Sequence, residues 1–329
     1  MTAAPSPSPS PSPSPSVVTF GETMALLRAT EVGSLRHAAQ LAVGIGGAES
    51  NVAIGLQRLG VDASWLGRVG DDPFGERVAR EIRAEGVAVH AVVDAAATGL
   101  MVKERPSAAS SAVHYYRSGS AGSRLTADDL PPGWIEEAAL LHVTGITVLV
   151  SESARAAVHA AIDRAVAAGV PVSFDVNYRS KLAGPDVAGP ALREVALRAD
   201  HVFGGPEELS LLFPDGDSAR AAARLLDAGC GDVVRKDGAA GATVFSADGS
   251  VDGPGFAIDP LDTVGAGDAF VAGYLSALLE GLSTGERLLR ANACGAMACL
   301  TPGDWEAAPT RRELDAFLSA GGTGDPVHR

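Results

Sequence analysis

Residues 262 to 270 read Asp-Thr-Val-Gly-Ala-Gly-Asp-Ala-Phe, and a run with apolar positions at Phe270, Val271, Tyr274, Leu275 and Leu278 follows. That spacing predicts a helix whose mouth is built from Gly265, Ala266 and Gly267. Their small side chains let backbone N–H groups converge on an anion. The helix start adds partial positive charge where a transferring phosphoryl group gathers negative charge. Asp268, at the same mouth, is placed to take the proton of an alcohol held in line with that group. On position alone a helix cap is the simpler account of Asp268, but a cap has no need of Gly-Ala-Gly before it. Phe270 stands where a dinucleotide fingerprint has its third glycine, and no Gly-x-x-x-x-Gly-Lys run exists, so neither of those phosphate-binding modes applies.

A second segment, Gly46-Gly47-Ala48-Glu49-Ser50-Asn51, leads into a helical stretch, Asn51–Leu59, ended by Gly60. The glycines allow a ligand to approach the backbone, and Asn51 both donates to and accepts from hydroxyl groups. Taken alone, a loop with a capping Asn explains it as well.

The chain that must position these residues has 329 of them, 46% hydrophobic and 20% charged, which is ample for a globular core. Lys and Arg number 26 against 40 Asp and Glu, a net charge of −14 with no dense basic run. Nucleic-acid binding is therefore not expected, and any phosphate site must supply local positive charge or backbone donors. Cys230, Cys294 and Cys299 lack metal or redox spacing and read as reduced thiols. His142 falls in an apolar run and reads as a core residue. No apolar stretch approaches the ~20 residues of a membrane helix, and no secretory signal opens the chain, so a cytoplasmic protein is expected.

The alternating Pro/Ser run that ends at Ser16 is expected to form a solvated tail over 1–16, with the body at 17–320 and a short tail at 321–329. Within the body, Val17–Phe20, Ala63–Val69, Leu140–Thr144, Val170–Asp175, Asp200–Phe203 and Gly231–Arg235 read as buried strands. Most precede helical stretches, such as the one that starts at Asp72-Pro73 and stops before Gly86. The alternation predicts an α/β fold with a mostly parallel sheet covered by helices on both faces. Gly21–Val43 and Thr98–Arg117 carry strand-like pieces without helices. They are expected to form a small antiparallel sheet, a lid from about 21–45 and 98–118 over ligands at the carboxyl ends of the parallel strands.

Together, Gly46 to Asn51 and Asp262 to Asp268 resemble the two signatures of the ribokinase-like (PfkB) carbohydrate kinases, and the resemblance spans Val17 to about Leu318. Tyr115-Tyr116-Arg117-Ser118-Gly119-Ser120-Ala121, Asp175-Val176-Asn177-Tyr178-Arg179 and Pro302-Gly303-Asp304-Trp305-Glu306 look like the 2-keto-3-deoxygluconate kinase branch. The resemblance implies an ATP- and Mg²⁺-dependent kinase of a sugar or sugar acid in which Gly47, Asn51, Tyr115, Arg117, Arg179 and Asp268 face the substrate. It assigns Lys236, Gly238, Gly241 and Asn292, with Gly265 and Gly267, to ATP. The two arginines suit a carboxylate. Ordinary surface ion pairs remain the alternative for them, as a solvated turn does for Lys236.

Gly205-Pro206-Glu207-Glu208 matches the family's Asn-x-x-Glu position with Gly205 replacing Asn. Glu208 is implied to hold Mg²⁺ through waters, and otherwise complements a helix dipole. These kinases often carry a Tyr after Thr98-Gly99-Leu100, where this chain has Met101. Losing such a hydroxyl costs about 0.5–1.5 kcal/mol, which keeps a neutral sugar of the fructose or ribose type open as substrate. A noncatalytic sugar-binding regulator of the same fold is the remaining alternative, against which Asp268 and the Gly-Ala-Gly run speak. Family members often pair through their lids, so a homodimer is expected on the same grounds.

Overall fold

The computed structural model describes residues 16–107 and 110–321; most of the expected Pro/Ser tail and 322–329 lie outside that range. In chain order the strands are β1 (Val17–Phe20), β2 (Met24–Ala29), β3 (Leu41–Gly46), β4 (Ala63–Gly70), β5 (Ala88–Asp94), β6 (Leu100–Ser107), β7 (Ser110–Tyr116), β8 (Leu140–Thr144), β9 (Val172–Asp175), β10 (His201–Gly204), β11 (Asp232–Lys236), β12 (Gly241–Ser246) and β13 (Gly249–Pro254). The helices are α1 (Ala48–Arg58), α2 (Pro73–Ala84), α3 (Gly145–Val150), α4 (Glu152–Ala168), α5 (Pro185–Ala196), α6 (Pro206–Leu212), α7 (Ser218–Asp227), α8 (Ala266–Leu279), α9 (Thr284–Ala298) and α10 (Arg311–Ser319).

Among the described residues the main sheet runs β13-β12-β11-β10-β9-β8-β1-β4-β5. From β11 to β5 every neighbour is parallel, and the β12–β13 hairpin closes one edge antiparallel. The central strands β1, β8, β9 and β10 are short runs rich in apolar and β-branched residues and buried almost throughout, as parallel strands between helical layers must be, whereas the edge strands β5 and β13 are partly exposed. One layer packs Phe174, Leu192 and Val158 together, and the other packs Trp65, Tyr274 and Val271. Each such side chain removed from water contributes about 1.5–3 kcal/mol. His142 lies in this core, with Ser173 Oγ 3.0 Å from its Nδ1, and burial lowers its pKa to about 3. Burial pushes the Cys230 and Cys294 thiols up to about 12.

The helices start where the sequence supplies caps. Asp72 Oδ1 accepts from the Gly75 N–H at 2.8 Å with Pro73 opening α2, and Ser151 Oγ accepts from Ala154 N–H at 3.1 Å to start α4.

A second sheet, ordered β3-β2-β6-β7, packs Met24, Leu26 and Met101 into a small cluster of its own. It is mixed and not antiparallel as expected: β2 and β6 run parallel, Ala25 opposite Leu100, with antiparallel partners outside them. The reason is topological. β3 is the hairpin partner of β2, and β6 arrives on the free side of β2 after the chain has passed through β4, α2 and β5.

Candidate active site

A cavity of about 1130 Å³ opens between the small sheet and the carboxyl ends of the parallel strands. That volume exceeds an ordinary small-molecule pocket and suits two ligands end to end. Asp268 lies in its wall, in the first turn of α8. Gly265 caps that helix at φ +77°, and a side chain there would run into the Asp304 carbonyl, 1.8 Å from an added Cβ. Glycine is therefore required by backbone conformation and by contact. The first-turn N–H groups of α8 have no helical partners. Gly265 and Gly267 line the cavity, whereas Ala266 does not and its N–H turns back to the Thr263 carbonyl at 3.4 Å.

Asn51 Nδ2 donates to Asp268 Oδ2 at 2.8 Å, so residues 217 positions apart meet at the centre of the site. Gly47 precedes α1, where an added Cβ would meet the Glu22 carbonyl at 2.5 Å. The first turn of α1 is anchored from beneath by Glu49, whose Oε1 accepts from Thr144 and Thr147 and whose carboxyl is pushed above its ordinary range by burial. Asn177, just past β9 at φ +36°, is 3.5 Å from Asp268 Oδ1 through its Nδ2. Burial raises the Asp268 carboxyl to about 7. The Asn51 hydrogen bond opposes the rise, the Asp175 charge adds to it, and Arg179 and Lys236 pull the other way.

Lys236, at the end of β11, donates to both oxygens of Asp175 at 2.7 and 2.8 Å. Burial works against its charge, but Asp175, Glu208 and Asp268 together hold it above the usual lysine range. Its Nζ lies 3.7 Å from where a Gly267 Cβ would sit, so a cation stands over the mouth of α8. Glu208 accepts from Tyr178 N–H and Gly205 N–H, both at 2.7 Å, so it reaches back to the N-cap residue of α6 and is also part of the cavity wall.

Around the other end of the cavity, Arg117 Nε donates to the buried Glu22 carboxylate at 2.7 Å, and Ser120 donates to the same carboxylate. Arg117 is thus already charge-balanced. Arg179 lines the cavity with no hydrogen-bonded or ion-paired side-chain partner among the described residues, its field reaching Asp268 and Asp304. Tyr115 and Met101 face the cavity from β7 and β6, where they are cross-strand neighbours. Asp304 is held beneath the site by a loop that Arg58 ties to α1 through the carbonyls of Trp305, Glu306 and Ala308.

Residues 14–311 match the family described as pfkB family carbohydrate kinase. The chain belongs to that family. It is 38% identical over 311 residues to the 2-dehydro-3-deoxygluconokinase of Bacillus subtilis, covering 92% of this chain and 95% of the relative. It is 37% identical over 315 residues to the 2-dehydro-3-deoxygluconokinase of Thermoproteus tenax, covering 93% and 94%. An Escherichia coli protein given as ribokinase II, solved with ATP and Mg²⁺, superimposes with a TM-score of 0.86 at 26% identity, covering 93% of this chain and 99% of that one. This pfkB protein is a carbohydrate kinase that uses ATP.

Of the residues assigned to ATP, Lys236, Gly265 and Gly267 line the cavity; Gly238, Gly241 and Asn292 do not. Asn292 donates to the Gly253 and Pro254 carbonyls at 3.1 and 3.2 Å, and Gly241, at φ +104°, packs under Gly253. Gly238 turns outward at φ +60° with open space around it. Sequence reasoning gave no role to Glu22, Lys103, Asp175, Asn177 or Asp304, all of which face the cavity. A signal existed for Asn177, since Asn tolerates positive φ just past a strand end. For Glu22 and Lys103 there was none, because their partners lie far along the chain. No helix among the described residues is long and apolar enough to cross a membrane.

Proposed function

We propose that the chain phosphorylates a hydroxyl of 2-keto-3-deoxygluconate or a closely related sugar acid, with Asp268 as general base. The observation that carries this reading is the juxtaposition in one cavity of a buried carboxylate poised near neutrality and an arginine, Arg179, with no ion-paired partner among the described residues. The names of the two bacterial and archaeal relatives, both kinases of the same keto-acid, support it.

The acceptor hydroxyl lies against Asp268 and gives it a proton as its oxygen bonds to the γ-phosphorus of ATP. The bond from that phosphorus to the β,γ-bridging oxygen breaks, and ADP leaves. Asn51 keeps the Asp268 carboxylate turned toward the acceptor. The mouth of α8 and the Lys236 ammonium meet the charge that builds on the transferring group. Arg179 supplies a charge-assisted bond to the substrate carboxylate.

For Mg²⁺ the donor chemistry fits one arrangement. No cluster of three or more acidic, His or Cys residues among the described ones could cage a metal, yet Glu208 keeps one lone pair on each oxygen beyond its backbone bonds. Glu208 would hold a hydrated Mg²⁺ through waters, and the ion would supply positive charge against the phosphates.

A coupled ADP-release assay over a panel of sugar acids and neutral sugars tests the reading. Turnover on the keto-acid is the expected outcome. Turnover on fructose or ribose with none on the keto-acid would move the assignment to the neutral-sugar kinase that Met101 keeps open.

A further inference from the structure

A partly buried acid, Asp262, stands in the loop that leads into α8, and its two oxygens do different work. Asp262 Oδ1 accepts from the Val264 N–H at 3.3 Å, folding the loop that leads into Gly265. Asp262 Oδ2 meets the ammonium of Lys103 at 2.5 Å. Lys103 belongs to β6 of the small sheet, 159 positions away, and its side chain is 3% exposed. The same ammonium lies 3.9 Å from Asp304 Oδ1, a buried oxygen with no hydrogen-bond partner among the described residues. Asp304 in turn supplies the carbonyl against which Gly265 is seated. One ammonium therefore touches the acid that shapes the loop and stands next to the residue that fixes the start of α8.

A buried ion pair is weak evidence for stability, because apolar residues of similar volume often serve as well. What such a pair does supply is registry, by making one relative placement of two segments satisfy the charges. We propose that Lys103 and Asp262 form a strap that couples the small sheet to the α8 mouth, so that covering the sugar and shaping the phosphoryl cradle happen as one event. Lys103 is a positioning residue in this scheme and touches neither reacting atom. The proposal rests on the reading of the cavity as a joint sugar and phosphoryl site.

The test is a double-mutant cycle of Lys103→Met, Asp262→Asn and the pair, with Lys103→Arg as the conservative variant. Steady-state kinetics on the keto-acid and hydrogen exchange are measured for each. Lys103→Met is expected to lower kcat by roughly 10-fold or more and to raise the sugar KM more than the ATP KM. Lys103→Arg should recover most of that loss. The double variant should lose no more than either single one. Exchange should quicken in both Met24–Ala29 and 263–266 when Lys103 is lost. Additive losses, or faster exchange in the sheet with the loop unchanged, would overturn the strap, as would a lowered melting temperature with kcat intact. If the parent protein turns over no sugar acid, the functional reading falls while the exchange comparison still decides the strap. Should Lys103→Met fail to fold, Lys103→Gln takes its place in the cycle.

Discussion

Replacing Asp268 by Asn separates two consequences of burying one carboxylate. The amide is nearly isosteric and can still meet Asn51, now 2.8 Å from the carboxylate, but it accepts no proton. Loss of a positioned general base lowers turnover by roughly 10²–10⁴-fold, about 3–5 kcal/mol of transition-state stabilisation. The second consequence concerns folding. Burial lifts this carboxyl from 3.8 to about 7, so between those values the native state holds a proton that the unfolded chain has released. Stability then falls as pH rises through that window. Above it the full penalty applies, at most about 4 kcal/mol for a shift of this size. The Asn variant should therefore be more stable than its parent at pH 8, with the gain fading toward pH 4. Parent turnover should climb tenfold per pH unit below about 7 and level above it, while the variant lacks that limb. ADP release against pH and denaturant midpoints at pH 5 and 8 measure both. A variant that keeps a tenth of parental turnover, or one whose acid limb persists, would refute the base assignment.

Arg179→Ala should raise the KM for the keto-acid by roughly 10- to 100-fold, the worth of a charge-assisted hydrogen bond, and leave any neutral-sugar turnover unchanged in the same assay. Gly265→Ala places a side chain at φ +77° against the Asp304 carbonyl; it should lose about 1–3 kcal/mol from backbone strain, read from a urea midpoint, and most of its activity. Glu208→Gln removes the charge and leaves one oxygen to accept where the carboxylate has two, so the Mg²⁺ concentration for half-maximal activity should rise several-fold with the sugar KM little changed.

The parts of this molecule that are local in the chain were legible in it. Leu140–Thr144 is a strand from end to end because four of its five residues are apolar or β-branched and Gly145 follows, and α8 begins where Gly265 and its neighbours say it must. The β12–β13 hairpin was equally available in Asp248-Gly249, with Gly249 at φ +117°, yet no strand was assigned on either side of it. What pairs across the fold was not legible. Nothing near Arg117 in sequence announces Glu22, and nothing near Lys103 announces Asp262, because such partners are chosen by topology. The parallel pairing of β2 with β6 escaped for the same reason.

That pairing has a further consequence for how specificity can change in this fold. The small sheet beside the cavity is assembled from two stretches of chain, β2 with β3 and β6 with β7, whose central strands bond to each other through Ala25, Leu26, Leu27 and Arg28. No single cut-and-paste of contiguous sequence can transplant it. Grafting the cover of one relative onto another requires two exchanges made together, and the first seam falls at Gly46 and Gly47, which line the cavity themselves.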